Sequence, residues 1–357
     1  MAKRPLNGSA MAERLLLRAR RGGAGTRSVS LRGMRLQRLP RGLASLPGLR
    51  ALSLRDNELR SLPAELGLLS RLRELNLGNN IFEEIPEQLK YLNSLEKLHL
   101  FGNKIATISP SVFDGLEKLR LLNMNNNKLK YLPPEIHRLE NLENINLNNN
   151  QLKSIPRELC SLQKLSELHL SHNHLTSIPE EIGYMSNLRM LCLSRNQIGM
   201  LPDGLCKLRK LRILDVAGNK IQVFPIAMED LMLMELYCED NPLLQKQPVS
   251  AIQEEEVWSL KEIAARFIFS HLTKEDSILH MAIKQNLEAC NILSRKQECA
   301  QCGKGFLNIW LECVRFVNVR QKMKISRNVH LLPVRTLLCS YKCFNQPGQG
   351  FFGIAVP

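Results

Sequence analysis

Apolar and polar positions repeat along most of the chain with a period close to 23 residues. One asparagine marks each unit, at Asn57, Asn80, Asn103, Asn127, Asn150, Asn173, Asn196, Asn219 and Asn241. Apolar residues stand five and three positions before each of them, as Leu52 and Leu54 do before Asn57. Most units then continue with an apolar residue and a proline, as in Leu62-Pro63. The alternation predicts a short strand with one buried face, and the proline favours an irregular return segment.

These features form the leucine-rich repeat pattern. About ten such units predict an α/β solenoid over residues 28–244, with a parallel concave sheet. The recurring asparagine amide can bond backbone groups that would otherwise be buried without a partner, at about 1–3 kcal/mol each. The first unit has Met34 in place of asparagine, which is typical of a terminal, capping repeat. The unit that starts at Asn103 is one residue longer, so we expect its outer face to bulge.

Strand residues between the core positions face the concave side, where repeat proteins bind their partners. We expect a protein substrate to contact His99, Phe101, Leu121, Asn123, Asn146, His169, Met190, Tyr237 and Glu239. The alternative is that these residues belong to an ordinary surface with scattered apolar groups. The sequence has no Ser-His-Asp order, Gly-rich phosphate loop or spaced carboxylate pair. We therefore expect a binding protein without catalytic residues.

The segment 248–292 changes to a helical pattern. Ser250 and Gln253 have the spacing of a capping box, and apolar residues follow at helical intervals. Within this stretch, Ser259, Leu260, Ala264 and Ile268 have the spacing of an elongin-binding BC box. In such a box the helix lays its apolar face into a groove of its partner. The alternative is a helix that caps the open end of the solenoid.

The last segment, 293–357, contains two close cysteine pairs, Cys299-x2-Cys302 and Cys339-x3-Cys343. Four such thiols suit a tetrahedral zinc ion with a closed shell, which stabilises structure and does not catalyse. Cys313 and His330 are substitute ligands. A small tail with few aromatic residues needs a staple of this kind to fold. The alternative is four unpaired thiols.

The net charge of +15 is concentrated at the two ends of the chain. Residues 1–27 carry seven basic side chains and one acidic, and we expect a disordered extension or an Arg-rich presequence-like segment. The repeats are nearly neutral, so we expect no nucleic-acid partner. There is no run of 18 apolar residues, so we expect no membrane span. Ten cysteines without a secretory signal favour reduced thiols or metal ligands in the cytoplasm or nucleus.

With the repeats, the segment from Ser259 to Ile268 and the cysteine quartet in this order, the chain resembles leucine-rich repeat proteins that end in an elongin-binding box and a cysteine-rich module. The resemblance implies a non-catalytic substrate receptor of a cullin-RING ubiquitin ligase, which promotes ubiquitination and degradation of a protein substrate. The concave face would hold the substrate. The helix would bind elongin C, with elongin B, and a cullin would bring the RING subunit.

Two departures from this family pattern bear on the partners. Ala264 stands where the box usually has cysteine, and Leu332-Pro333-Val334 is a late and incomplete cullin-5 signature. The choice between cullin-2 and cullin-5 therefore stays open. The alternative function is a signalling scaffold that binds a GTPase or a phosphatase through the repeat face.

Overall fold

The computed structural model describes residues 8–21, 25–244, 259–271, 278–307, 311–319, 323–325, 329, 331–344 and 351–353. These residues belong to two compact units. The first unit takes the described parts of Met1–Ile221, Asp230–Pro242 and Arg320–Val329. The second takes those of Gln222–Glu229, Leu243–Val319 and His330–Pro357. The helical and cysteine-rich segments, which were predicted separately, thus lie in one unit.

The α-helices in the described part of the chain are α1 Gly8–Arg21, α2 Leu260–His271, α3 Ile278–Gln285, α4 Leu287–Leu293 and α5 Tyr341–Phe344. The strands of the repeats are β1 Ser28–Ser30, β2 Ala51–Ser53, β3 Glu74–Asn76, β4 Lys97–His99, β5 Leu121–Asn123, β6 Asn144–Asn146, β7 Glu167–His169, β8 Met190–Cys192, β9 Ile213–Asp215 and β10 Glu235–Tyr237. The later strands are β11 Gln297–Glu298, β12 Gly305–Phe306, β13 Leu311–Val317, β14 Lys324–Ile325, β15 Leu332–Leu338 and β16 Phe351–Gly353.

The first unit is a leucine-rich repeat solenoid, as the sequence predicts. Strands β1 to β10 pair in parallel with their neighbours, and equivalent core leucines stand side by side, as Leu52 and Leu75 do. The sheet has one strand more than the repeats supply, because β14 pairs in parallel with β10. This two-residue strand comes from the segment 293–357, which was predicted as a cysteine-rich tail.

The recurring asparagines form the predicted ladder. Asn80 is 5% exposed. Its Oδ1 accepts from the Leu59 N–H at 3.0 Å, and its Nδ2 donates to the carbonyls of Leu54 and Leu77, both at 3.0 Å. The same contacts recur at the other ladder asparagines, for example at Asn150. Each amide thus joins its own strand end to the preceding repeat, and the prediction is confirmed.

Short 3-10 helices form the return side of the repeats. Those in the described residues are Arg41–Ser45, Ala64–Leu68, Glu87–Tyr91, Pro110–Gly115, Pro134–Arg138, Arg157–Ser161, Glu180–Tyr184, Asp203–Lys207 and Met228–Asp230. Most begin directly after the predicted proline, whose backbone is extended, as at Pro63 and Pro156. The helix Pro110–Gly115 has six residues where its neighbours have five, which accounts for the predicted extra residue.

The basic N-terminal segment differs from the expectation of disorder. Residues 8–21 form α1, and Ala12 and Leu16 on its inner side are 0% and 3% exposed. The helix packs against the first 3-10 helix, Arg41–Ser45. Apolar residues at these two buried positions explain the difference, because they pack on the end of the first repeat. The structure does not describe residues 1–7 and 22–24.

The second unit combines helices with a small antiparallel sheet that the sequence patterns did not predict. Strand β13 pairs with β15 on one side and with β16 on the other. Strands β11 and β12 form a separate hairpin. The buried residues at the centre are Cys299, Phe306, Cys313, Leu337, Leu338, Cys339 and Cys343. The core of this unit is therefore built around its cysteines.

Candidate protein-binding surfaces and cysteine cluster

The predicted substrate-binding residues lie in rows along the exposed face of the parallel sheet. One row crosses the sheet at equivalent strand positions. It contains His99, Asn123, Asn146 and His169 on four consecutive strands, and Tyr237 three strands further on. The adjacent row contains Leu121 and Met190. Phe101 and Glu239 follow the ends of their strands. All nine residues are at least partly exposed, whereas the strand residues between them are buried.

Phe101 forms an aromatic and cationic cluster near the N-terminal end of this face. The Arg55 guanidinium lies 4.9 Å from the centroid of the Phe101 ring, and the His99 ring meets it edge-on at 6.4 Å. A Cβ on Gly78 would come within 2.4 Å of the Phe101 ring. Arg55 and Gly78 were not predicted as site residues. The sequence does contain a sign of this cluster: Gly78 occupies, one repeat earlier, the position that Phe101 has in its own repeat, and it leaves room for the ring.

The His99 imidazole is partly shielded from solvent. Burial lowers the pKa of His99 below its ordinary value, and the Lys97 ammonium acts in the same direction against the opposing Glu74 carboxylate. His99 is therefore neutral at physiological pH and can both donate and accept a hydrogen bond.

The C-terminal end of the same face is acidic. The Tyr237 hydroxyl donates to Glu235 Oε2 at 2.5 Å, and Lys324 Nζ donates to Glu235 Oε1 at 3.2 Å. Both bonds hold the pKa of Glu235 below its usual range. Beside them lies a cavity of about 290 Å³ lined by Ser194, Arg195, Asp215, Ala217, Gly218, Tyr237, Glu239 and Asp240. This end of the face can accept a basic or hydrogen-bonding group of a partner.

Helix α2 presents an apolar line to solvent. Ser259 accepts a hydrogen bond from the Glu262 N–H through its Oγ at 3.2 Å and so caps the helix, which begins at Leu260. Leu260 is 86% exposed, Ile263 is 48% and Phe267 is 61%, and Ala264 beside them is exposed. These four residues, at i, i+3, i+4 and i+7, lie on one side of a helix; we call them the α2 line.

The predicted box residues of α2 differ in their exposure to solvent. Leu260 and Ala264 belong to the α2 line, but Ile268 is half-buried and lies off it. Phe267, which the box pattern did not include, is the aromatic contact at that end of the helix. Its ring stacks on His271 at 4.2 Å. The predicted cap at Ser250 and Gln253 lies outside the described residues.

The four predicted cysteines come together in the second unit. The sulfurs of Cys299, Cys302, Cys339 and Cys343 all lie within 4.8 Å of one another. Sγ of Cys339 is 3.5 Å from that of Cys302 and 3.6 Å from that of Cys343. Four sulfurs at about 2.3 Å from a zinc ion have edges of about 3.8 Å. The four thiols are thus close enough to bind one metal ion.

A tight backbone turn positions the first cysteine pair, Cys299 and Cys302. Cys299 and Cys302 lie in the turn that joins β11 to β12, where Gly303 has a positive φ of 68° and donates its N–H to the Cys299 carbonyl at 2.9 Å. Glycine suits this left-handed backbone because it has no Cβ. The turn holds both sulfurs on one side of a tight hairpin.

The thiols differ in acidity. Burial opposes ionisation of Cys299, but hydrogen bonds from the backbone of Cys302, Cys339 and Gln301 outweigh it, and the pKa of Cys299 falls to about 7. Burial raises the pKa of Cys339 and that of Cys343. Cys313, a predicted substitute ligand, is not in the quartet, and burial raises its pKa to about 12. His330, the other substitute, lies outside the described residues.

A family model for the leucine rich repeat matches residues 24–82, 70–129, 132–175 and 163–221, which is more than half of the chain. The chain belongs to the leucine-rich repeat family. Proteins with such repeats are generally non-enzymatic binding modules. Within the described residues, no helix has the length and apolar character needed to cross a membrane.

Curated members of the family match about a third of the chain. Leucine-rich repeat-containing protein 69 of Xenopus laevis is 57% identical over 130 residues, which is 36% of this chain and 38% of that protein. The Homo sapiens protein of the same name is 49% identical over 123 residues, 34% of this chain and 35% of that protein. The matched region thus spans well under half the length of these relatives. Sequence motifs suggest leucine-rich repeat-containing protein 58 as the individual relative, and these matches show that this assignment is wrong.

A solved member of the family has a similar fold. The leucine-rich repeat ectodomain of the plant membrane receptor kinase GASSHO1/SCHENGEN3 from Arabidopsis thaliana was solved in complex with CASPARIAN STRIP INTEGRITY FACTOR 2. It is 31% identical to this chain with a TM-score of 0.51, over 58% of this chain and 26% of that one. This likeness supports the repeat fold.

Proposed function

We propose that the protein is the substrate-recognition subunit of a cullin-RING ubiquitin ligase in the cytoplasm or nucleus. The exposed face of the repeats would bind a protein substrate, and α2 would bind elongin C together with elongin B. A cullin, cullin-2 or cullin-5, would bring the RING subunit. The chain's contribution to the reaction would be to hold a substrate lysine near the charged ubiquitin-conjugating enzyme.

The α2 line is the observation that carries the proposal. Leu260 is 86% exposed at the first turn of the helix, and the small side chain of Ala264 allows a partner to approach the helix backbone closely. An amphipathic helix that places apolar anchors at i, i+3, i+4 and i+7 is the form in which helices bind grooves. Exposed apolar groups on one line favour a partner over solvent.

The substrate-binding role rests on the two ends of the repeat face. The cluster of Phe101, Arg55 and His99 offers an aromatic anchor of the kind that contributes most to binding energy. At the other end, Tyr237, Glu239 and Asp240 line an acidic cavity. A substrate segment with an apolar residue and a basic residue would match both ends. The intervening Asn123 and Asn146 can hydrogen-bond its backbone.

Zinc is the metal that the cysteine quartet would hold. Four thiolates favour zinc over hard cations such as Mg²⁺ and Ca²⁺, and they leave no open position for a substrate. Bound zinc would supply a structural cross-link. The residues of this chain would form and shield the site: Gly303 shapes the turn, and three of the four cysteines are buried away from water.

The proposal is tested by capture of elongin B and elongin C on the full chain. Leu260→Asp should abolish capture, because it places a charge in an apolar pocket of the partner. Lys261→Asp is the matched control, since it puts the same side chain on the neighbouring exposed position of α2, away from the α2 line. Equal capture by both variants, or no capture by the folded unaltered chain, would instead favour a scaffold that binds its partner through the repeats alone.

A further inference from the structure

We propose that Glu262 and Arg266 are positioning residues that couple the cysteine quartet to the α2 line, so that the docking helix is held in place only while a metal ion joins the four cysteines. The inference rests on the proposed function for the identity of the metal and the partner. It deepens that function by making partner capture dependent on metal.

Glu262 is the starting point, because a carboxylate is rarely buried without compensation. Glu262 is 0% exposed and lies on the side of α2 opposite the α2 line. Glu262 Oε1 accepts a hydrogen bond from the backbone N–H of Leu307 at 3.2 Å. Leu307 directly follows β12, the second strand of the hairpin that carries Cys299 and Cys302. The carboxylate therefore ties α2 to the first half of the quartet.

Arg266 connects the same carboxylate to the second half. Its Nε donates to Glu262 Oε1 at 2.7 Å, and its Nη1 donates to the backbone carbonyl of Cys339 at 2.9 Å. The guanidinium also lies 5.9 Å from the centroid of the Phe306 ring in β12. One arginine, with 13% of its side chain exposed, thus contacts both cysteine-bearing segments and the helix.

Packing next to this ion pair fixes the helix on the hairpin. A Cβ on Gly305 would come within 2.9 Å of the Phe269 ring, so the glycine allows α2 and β12 to approach closely. Ala265, one residue before Arg266, is 3% exposed. The inner side of α2 is therefore complementary to the cysteine hairpin, and its outer side presents Leu260, Ile263 and Phe267.

The contacts of this pair require both halves of the quartet to be in place. Leu307 and Cys339 belong to segments that are 32 residues apart in the chain. The four sulfurs lie between these segments, and one backbone hydrogen bond, from the Ala300 N–H to the Leu337 carbonyl at 3.0 Å, also joins them. Without a metal, four thiols make only weak hydrogen bonds to one another. If the halves separate, Glu262 and Arg266 cannot both keep their backbone partners, and a buried pair with an unsatisfied partner is destabilising. The amides of α2 would then exchange faster with solvent.

The decisive experiment measures hydrogen exchange of α2 in the full chain. The protein is loaded with Zn²⁺ and compared with the same protein after removal of the metal by a chelator. We expect exchange of the α2 amides to rise about tenfold or more, while the buried strands of the repeats stay unchanged. Unchanged exchange in α2 after metal removal would overturn the coupling.

Arg266→Lys separates the role of the arginine from that of charge alone. Lysine keeps the positive charge next to Glu262, but its single ammonium group cannot reproduce the forked bonds to both Glu262 and Cys339. We expect zinc transfer to a chromogenic chelator to become about tenfold faster, as for other residues that support metal ligands, and α2 to exchange faster. Lys261→Ala, on the exposed side of the same helix, should behave like the unaltered chain.

Identical zinc transfer in Arg266→Lys and Lys261→Ala would overturn the assignment. If Arg266→Lys does not fold, the chelation experiment on the unaltered chain still decides. Neither readout includes elongin. A chain whose α2 is protected by zinc but does not capture elongin would therefore refute the proposed partner while leaving the coupling intact.

Discussion

Asn150→Ala tests how the repeats are held together, because Asn150 lies in the middle of the asparagine ladder. Its residue is 6% exposed. Oδ1 accepts from the Leu129 N–H at 3.0 Å, and Nδ2 donates to the carbonyls of Met124 and Leu147, both at 3.0 Å. Alanine leaves the buried Leu129 N–H without a partner. The Met124 and Leu147 carbonyls each lose one hydrogen bond but keep another, from Asn127 Nδ2 and from Asn173 Nδ2, both at 3.0 Å.

The expected loss follows from one unsatisfied N–H group and two lost hydrogen bonds. A buried polar group left unsatisfied costs about 1–3 kcal/mol, and a hydrogen bond lost by a carbonyl that keeps a second one costs about 0.5–1.5 kcal/mol. We expect the free energy of unfolding to fall by about 2–5 kcal/mol, a large share of the 5–15 kcal/mol typical of a domain. Urea denaturation followed by circular dichroism measures the change as a lower midpoint.

Asn146→Ala is the matched control for this measurement. Asn146 is half-exposed on the sheet, and its Oδ1 accepts from the Asn148 N–H at 3.1 Å. Water can replace that bond, so we expect a loss under about 1 kcal/mol. A loss at Asn150 as small as that at Asn146 would refute the reasoning, since it would mean that the ladder amides do not satisfy the buried backbone.

Three further predictions concern the metal, the pH dependence and the thiols. Elemental analysis should find about one zinc per chain, and Cys343→Ser should lower zinc retention, because one of four ligands is lost. Glu235 has a lowered pKa, so its contribution to stability is present above pH 4.5 and lost as the pH falls below it; Glu235→Gln should flatten that part of the profile in acid denaturation. Burial raises the pKa of Cys192 to about 11 and that of Cys160 to about 12, so a thiol reagent at pH 8 should label both slowly in the native protein.

The period of the repeats explains why the solenoid could be predicted. Each strand, ladder asparagine and proline bend depends on residues within one unit or the next, so the chain pattern contains the contacts. The conformation of the residue before each asparagine was not predicted. Asp56, Asn79 and Gly102 have positive φ there, as their residue types favour, but so do His172 and Arg195.

The second unit was less predictable, because its contacts join distant residues. Strand β14 has two residues and pairs with β10, almost ninety residues earlier, so no local pattern marks it. The cysteine spacing did predict the quartet, because its members come as two close pairs along the chain. Glu262 shows the limit most clearly: a glutamate in an amphipathic helix indicates a solvent-facing position, and its burial depends on Leu307 and on Arg266.

The proposed ligase role is tested most directly by light scattering on the purified full chain mixed with purified elongin B and elongin C. The account predicts one complex that contains a single copy of each of the three proteins, and its loss with Leu260→Asp but not with Lys261→Asp. Separate elution of the folded, zinc-loaded chain and the elongin pair would contradict the account and leave the repeats as the protein's binding surface.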